Sequence, residues 1–237
     1  MRYTYILLDS DNTLMDFDAA EDYALGKTLA ELGCPCTERE KQAYIEINTA
    51  LWEMFNQGLV TRENLMVDRF RRFFEKMDFP KADYDMVSRR YKKNLGSCAD
   101  LIPGALEFCR EMSKEGELYI LTNGDLQVQN DRFSVSPLRQ YVRNIFISEE
   151  TGYQKPQKEY FEYVFERIPG FDIKKAIMIG DSLTSDIAGA NNAGLVSCWY
   201  NPHGKTCDKN VQCDYMVEDY EQMKRVIRGE IQTGGYL

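Results

Sequence analysis

Apolar and polar positions follow two different periods along this chain. Tyr5-Ile6-Leu7-Leu8 is a continuous apolar run that leads straight into Asp9-Ser10-Asp11-Asn12-Thr13. A run of that kind suits a strand buried on both faces of a parallel sheet. Two carboxylates and a threonine cannot be buried unpaired without a large cost. The strand is therefore expected to end near Asp9 and to deliver both acids to the carboxyl edge of the sheet, where open α/β sheets bind ligands. From Asp18 to Lys93 the spacing turns helical, as at Ala20, Tyr23, Ala24, Leu29 and Leu32 and again at Leu65, Phe70, Phe73 and Phe74, with charges interleaved. Thr37-Glu38-Arg39-Glu40 reads as a capping-box start, Thr61 or Asn64 as another helix start, and Pro80 as a break. Nothing in this stretch reads as a strand, so it is expected to form a small all-helical insert.

After the insert an α/β rhythm takes over. Ile102-Pro103-Gly104 predicts a turn before a helix over Ala105 to Glu115, which Gly116 stops. Strands are predicted at Leu118 to Leu121, Asn144 to Ile147, Ala176 to Ile179, Val196 to Tyr200 and Tyr215 to Val217, with helical stretches between most of them. Short apolar runs alternating with amphipathic helices imply an α/β fold, a parallel sheet with helices on both faces. Gly234-Gly235-Tyr236-Leu237 reads as a loose tail.

Charge and cysteine usage narrow the function. A formal charge of -9 argues against a partner made of nucleic acid, which needs a basic footprint to displace counterions. A small anionic substrate stays open, provided the site supplies its own cations. The seven cysteines are odd in number, and the short apolar run before Asp9 does not resemble a signal peptide. Free thiols in a reducing cytoplasm are expected. Cys34 with Cys36 and Cys207 with Cys213 fit no zinc-ribbon spacing, the only histidine is His203 in a turn-like loop, and no apolar stretch approaches the ~20 residues that span a bilayer.

Three predicted strand ends carry polar groups to one edge: Asp9 with Asp11, Thr122 with Asn123 and Gly124, and Asp181 with Ser182. Strands of a parallel sheet point the same way, so these groups converge. Two carboxylates 4 Å apart repel by ~4 kcal/mol in a partly screened site. Asp9, Asp11 and Asp181 together therefore ask for a hard divalent cation, and oxygen-only ligands point to Mg²⁺. Thr122, Asn123 and the amides about Gly124 offer donors to phosphate oxygens, and Lys155 offers a point charge. Plainer roles stay open beside these. Thr122 could be a strand-end cap, Lys155 a solvated lysine before Pro156, and Asp186 a residue favouring a helix dipole. Trp52, Phe55 and Phe70 read as core of the insert.

With these residues in view, the chain resembles the haloacid dehalogenase-like hydrolase superfamily. Asp9-Ser10-Asp11-Asn12-Thr13, Leu121-Thr122-Asn123-Gly124, Lys155-Pro156 and Gly180-Asp181-Ser182-Leu183-Thr184-Ser185-Asp186 match its four motifs in order. The resemblance implies a Rossmann-like catalytic core over residues 1–14 and 98–237, with a helical cap over 15–97. It implies a Mg²⁺-dependent phosphomonoester hydrolase in which Asp9 attacks phosphorus and Asp11 moves protons. Asp9, the Asp11 backbone carbonyl and Asp181 would hold the metal with Asp186 in support, while Thr122, Asn123 and Lys155 would bind phosphate. Asn12 replaces the common glycine of the first motif, and asparagine is the best non-glycine choice for a left-handed backbone. Asp11 argues for a phosphate ester, since the dehalogenases of the superfamily lack an acid there. Asn48-Thr49-Ala50-Leu51-Trp52 with Gly58 and Arg69-Phe70 is similar to the caps of bacterial pyrimidine and deoxynucleoside monophosphate 5'-nucleotidases. A 5'-nucleotidase, as a cytoplasmic monomer or homodimer, is the expectation. Phosphatases on sugar phosphates or phosphoglycolate, a phosphoglucomutase-like transferase, a 2-haloacid dehalogenase and a binding regulator without turnover stand behind it.

Overall fold

The computed structural model describes residues 1–206 and 211–231, so Cys207 and the 234–237 tail lie outside the described residues. Strand β1 (Tyr5–Leu8) is followed by four helices, α1 (Phe17–Glu31), α2 (Glu38–Asn56), α3 (Arg62–Met77) and α4 (Tyr84–Gly96). The chain then runs α5 (Ala105–Met112), β2 (Glu117–Thr122), α6 (Leu126–Val135), β3 (Val142–Ile147), α7 (Ser148–Thr151), α8 (Lys158–Phe165) and β4 (Ala176–Gly180). A π-helical turn (Leu183–Ile187) leads into α9 (Ala188–Ala193), and β5 (Val196–Tyr200), β6 (Tyr215–Val217) and α10 (Tyr220–Arg228) follow.

The described strands form one six-stranded sheet in the order β3-β2-β1-β4-β5-β6, with every pairing parallel. Successive side chains of a strand point to opposite faces. Ile6, Leu8, Ile120 and Ile179 thus pack on one side with Phe108, Met112, Met223 and Ile227 from α5 and α10. Leu7, Leu121 and Met178 pack on the other with Tyr160, Phe161 and Val164 of α8. The chain winds outward in both directions from β1, and such a reversal of strand order opens a crevice at the carboxyl edge.

Helices α1 to α4 carry their own core. Leu25, Leu29, Tyr44, Phe70, Phe73, Phe74 and Tyr91 form one cluster, and Leu51, Phe55, Leu65 and Met66 a second. Thr37 and Glu40 form the expected capping box, with the Thr37 amide donating to Glu40 Oε2 at 2.8 Å. Thr61, rather than Asn64, caps α3. Helix α5 stops three residues short of the predicted Glu115, because the chain tightens into turns at Ser113 to Glu115. There Lys114 and Glu115 donate to Glu111 and Met112, one residue closer than α-helical spacing.

The insert joins the rest through two adjacent segments. Asn12 takes the left-handed conformation (φ 56°), and its Oδ1 accepts from the Phe17 amide at 3.1 Å at the start of α1. On the return, the Asp16 amide donates to the Asp100 carbonyl at 3.0 Å and the Ile102 amide to the Leu14 carbonyl at 3.0 Å. The outgoing and returning segments are thus bonded to each other.

Candidate active site

Asp9 follows the last residue of β1, and its amide donates to the Ile179 carbonyl at 2.9 Å, one step beyond the strand pairing. Thr122 ends β2, and Asp181 follows Gly180 at the end of β4. The expected convergence at one edge is thus present in the sheet. Lys155 enters from the loop between α7 and α8 and is almost wholly buried. Its ammonium donates to Asp9 Oδ1 at 2.6 Å, to Asp186 Oδ1 at 2.7 Å and to the Leu121 carbonyl at 2.7 Å, using all three protons. It is therefore no solvated lysine. Burial would lower its pKa, but the charges of Asp186 and Asp9 outweigh burial and raise it.

Asp186 is fully buried, and its Oδ2 accepts from the Ser182 amide at 3.0 Å. Gly180 makes this possible, since a Cβ there would stand 2.2 Å from Asp186 Oδ2. Carboxylate oxygens of Asp9, Asp181 and Asp186 all lie within 4.8 Å of one another. The sequence expects the Asp9 and Asp181 carboxylates and the Asp11 backbone carbonyl with Asp186 in support, and the side-chain cluster brings the Asp186 carboxylate beside those of Asp9 and Asp181. Asp181 is held up at about 7, first by burial and then by the charge of Asp186. Asp9 is raised well above the ordinary carboxyl range by burial, with Asp186, Asp181 and Asp11 adding to the effect of burial and Lys155 opposing it. Three acids against one buried ammonium leave an uncompensated negative charge, and the donor set is all oxygen. A hard divalent cation such as Mg²⁺ fits both conditions.

The Asp11 carboxylate faces another way. Arg132, wholly buried on α6, donates through Nη1 to Asp11 Oδ1, and Gln129 Nε2 donates to Asp11 Oδ2 at 2.8 Å. Arg132 Nε also donates at 2.7 Å to the Cys98 carbonyl, on the segment returning from the insert. Sequence reasoning missed both residues. Their signal was the spacing of Gln129 and Arg132 three apart on the helix that opens just after Gly124, which puts them on one face. A Cβ at Gly124 would meet Gln129 Nε2 at 2.2 Å, so this glycine lets the glutamine pass.

The expected phosphate residues divide their labour. Thr122 Oγ1 accepts from the Gly124 amide at 2.9 Å, the capping role, and keeps its own proton to donate. The Asn123 side chain clamps the Lys155 backbone, with Oδ1 accepting from its amide at 2.9 Å and Nδ2 donating to its carbonyl at 2.8 Å. Its amide is thus committed to placing the lysine.

Over this edge lies a cavity of about 540 Å³ shared with the helical insert. Asp9, Asp11, Thr122, Lys155 and Asp181 line one part, and Glu21, Asn48, Trp52 and Arg69 another. Phe55 and Phe70 are buried in the insert as expected, but Trp52 is only half-buried and lines the cavity. Trp52 thus packs against the Leu51, Phe55, Leu65 and Met66 cluster and walls the cavity at once, which helical period alone does not distinguish from a purely core position.

A model of haloacid dehalogenase-like hydrolases matches residues 3–194. The chain is 38% identical over 229 residues to the HAD-hydrolase YfnB of Bacillus subtilis, covering 97% of each chain. It is 37% identical over 224 residues to the pyrimidine 5'-nucleotidase PynA of Streptococcus pneumoniae, covering 94% of each. The crystal structure of YfnB bound to magnesium superposes with a TM-score of 0.92 at 37% identity, covering 96% of this chain and 99% of that one. Among the described residues no helix is long and apolar enough to cross a membrane.

Proposed function

The chain belongs to the haloacid dehalogenase-like hydrolase family, and from that premise we propose how its site hydrolyses a phosphomonoester and which ester it takes. Asp9 Oδ attacks phosphorus, the phosphorus–oxygen bond to the leaving group breaks, and the departing oxygen takes a proton from Asp11. Asp11 then takes a proton from water as that water attacks the aspartyl phosphate, and inorganic phosphate leaves with Asp9 restored. Lys155 screens Asp9 from Asp186 and opposes the rise in the nucleophile's pKa that burial causes. Arg132 and Gln129 set the direction of the Asp11 carboxylate. Asp9, Asp181 and Asp186 offer the acidic oxygens toward Mg²⁺, which when bound neutralises charge on the transferring group. The substrate is a pyrimidine nucleoside 5'-monophosphate, as the name of the PynA relative suggests. Residues 15–97 serve as the cap that closes over it.

The observation that carries this reading is the buried Lys155 bonded at once to Asp9 and Asp186 beside an uncompensated acidic cluster. The test is phosphate release from an aryl phosphate and from a panel of nucleoside and sugar monophosphates. Release should require Mg²⁺, should be lost by at least about 10³-fold in Asp9→Asn, and should be fastest with pyrimidine nucleotides. Chloride release from a 2-haloacid, or activity surviving in Asp9→Asn, sinks the reading.

A further inference from the structure

Helix α2 presents one continuous face to the cavity. Ile45, Asn48, Thr49, Trp52, Glu53 and Asn56 all line it, at spacings of three and four. The two ends of that face are fixed to different things. Asn56 Oδ1 accepts from Asn123 Nδ2 at 3.4 Å, and the neighbouring Phe55 carbonyl accepts from Gln154 Nε2 at 3.0 Å, so this end is bonded to the loops that hold Lys155. At the other end Asn48 Nδ2 donates to Glu21 Oε1 at 2.7 Å, and Arg69 Nη1 donates to Asn48 Oδ1 at 3.3 Å. Eight residues at 1.5 Å each separate the levels of Asn56 and Asn48, or about 12 Å. Trp52 stands midway, its ring 5.5 Å from Phe55 and 5.8 Å from the Arg62 guanidinium.

We propose that this face of α2 is a ruler for a nucleoside 5'-monophosphate: the phosphate lies at the Asn56 end, Trp52 stacks on the base, and Glu21 hydrogen-bonds the polar edge of the base. Asn48 and Arg69 are positioning residues, which hold Glu21 in place. The proposal rests on the phosphatase reading above and adds to it the groups that read the base. Glu21 Oε2 takes no hydrogen bond among the described residues, although Glu21 is 7% exposed and lines the cavity. A cavity-lining carboxyl whose second oxygen has no protein partner is open to a ligand, and a ring N–H or amino group of a pyrimidine would pair with it. Burial also holds this carboxyl at about 7, so near neutrality it can either accept or donate. Base and phosphate sit at opposite ends of a nucleotide, just as Glu21 bonds the Asn48 end of this wall and the loops that hold Lys155 bond the Asn56 end.

The test compares kcat/KM for uridine 5'-phosphate with that for ribose 5-phosphate, which lacks a base. The wild type should prefer the nucleotide by roughly 10- to 100-fold, the range expected when a buried polar group loses its partner. Glu21→Gln, Asn48→Ala and Trp52→Ala should shrink that preference several-fold, mainly through KM, while ribose 5-phosphate turnover holds. Trp52→Phe should restore most of the loss. A wild type without the preference, or variants that keep it or lose both substrates equally, overturns the ruler. If Asn48→Ala does not fold by circular dichroism, the half-buried Trp52 pair decides alone. If the wild type releases phosphate from neither compound, the phosphatase reading fails by itself. Saturation-transfer NMR with uridine then judges the base site: transfer lost in Trp52→Ala supports it, and transfer absent in the wild type or unchanged in the variant overturns it.

Discussion

Asp9 and Asp11 are two residues apart, yet their carboxylates belong to separate circuits. Asp9 shares Lys155 with Asp186, and Asp11 shares Arg132 with the Cys98 carbonyl. Division of that kind suits the proposed reaction, in which one acid is the nucleophile and its neighbour handles protons. Glu21 is another buried acid, and it supports a prediction about stability. Burial raises its pKa from the ordinary carboxyl value to about 7, with Arg69 opposing the shift and Asp18 adding to it. Between pH 4.5 and 7 the unfolded chain has therefore released a proton that the folded chain still holds. Stability from this group is full below the unfolded value and is lost as pH rises through the folded one. Glu21→Gln, which keeps the acceptor for Asn48, should gain stability relative to wild type across that window by roughly 3 kcal/mol at most. Urea unfolding of both proteins at pH 5 and pH 8 checks this; a difference that does not grow with pH contradicts it.

Strand β4 and the turn after it act as one unit, because Gly180 leaves the space that Asp186 fills. In Gly180→Ala the new Cβ would stand 2.3 Å from Asp186 Cγ as well as against Oδ2, so the carboxylate must leave Lys155 or the strand must shift. We expect a stability loss of roughly 1–3 kcal/mol and a loss of activity exceeding tenfold. Gly194 provides the control, since its φ is +72° and a Cβ there would meet nothing within 4 Å. Gly194→Ala should cost about 1–2 kcal/mol through backbone strain and leave kcat unchanged; melting curves with turnover assays separate the two cases. Elements also mark how far the sequence could be read. The strands and the acids at their ends were legible because an apolar run that meets two carboxylates has few other solutions. Asn12 was legible because so few residue types accept a left-handed backbone. Arg132 and the burial of Asp186 were not, because each depends on a partner more than thirty residues away in the chain. That Trp52 packs on the core and also lines the cavity was not legible either, since helical period reports which residues share a face and not what that face meets.

At the scale of the whole molecule, electrostatics at the sheet edge should couple metal to stability. Asp181 and its neighbours repel one another in the metal-free protein, and a cation that binds only the folded state stabilises it by mass action. At about 100 times its dissociation constant that is about 2.7 kcal/mol, which for a chain of this size raises Tm by roughly 5–10 °C. Asp181→Asn should melt higher than wild type without metal and should show little Mg²⁺-dependent shift. Differential scanning fluorimetry with Mg²⁺ and with a chelator decides, and an Asp181→Asn protein that responds like wild type refutes the assignment. The paired segments on either side of the helical insert bear on how such a molecule can change. Leaving and re-entering the sheet side by side, and bonded to each other at Leu14 with Ile102 and at Asp16 with Asp100, they give the insert neighbouring ends. A segment with neighbouring ends is a cassette: another could be spliced between the same two points without disturbing strand order or the acids of the sheet. Exchanging such a segment would change the upper wall of the cavity while leaving the sheet edge and its acids as they are.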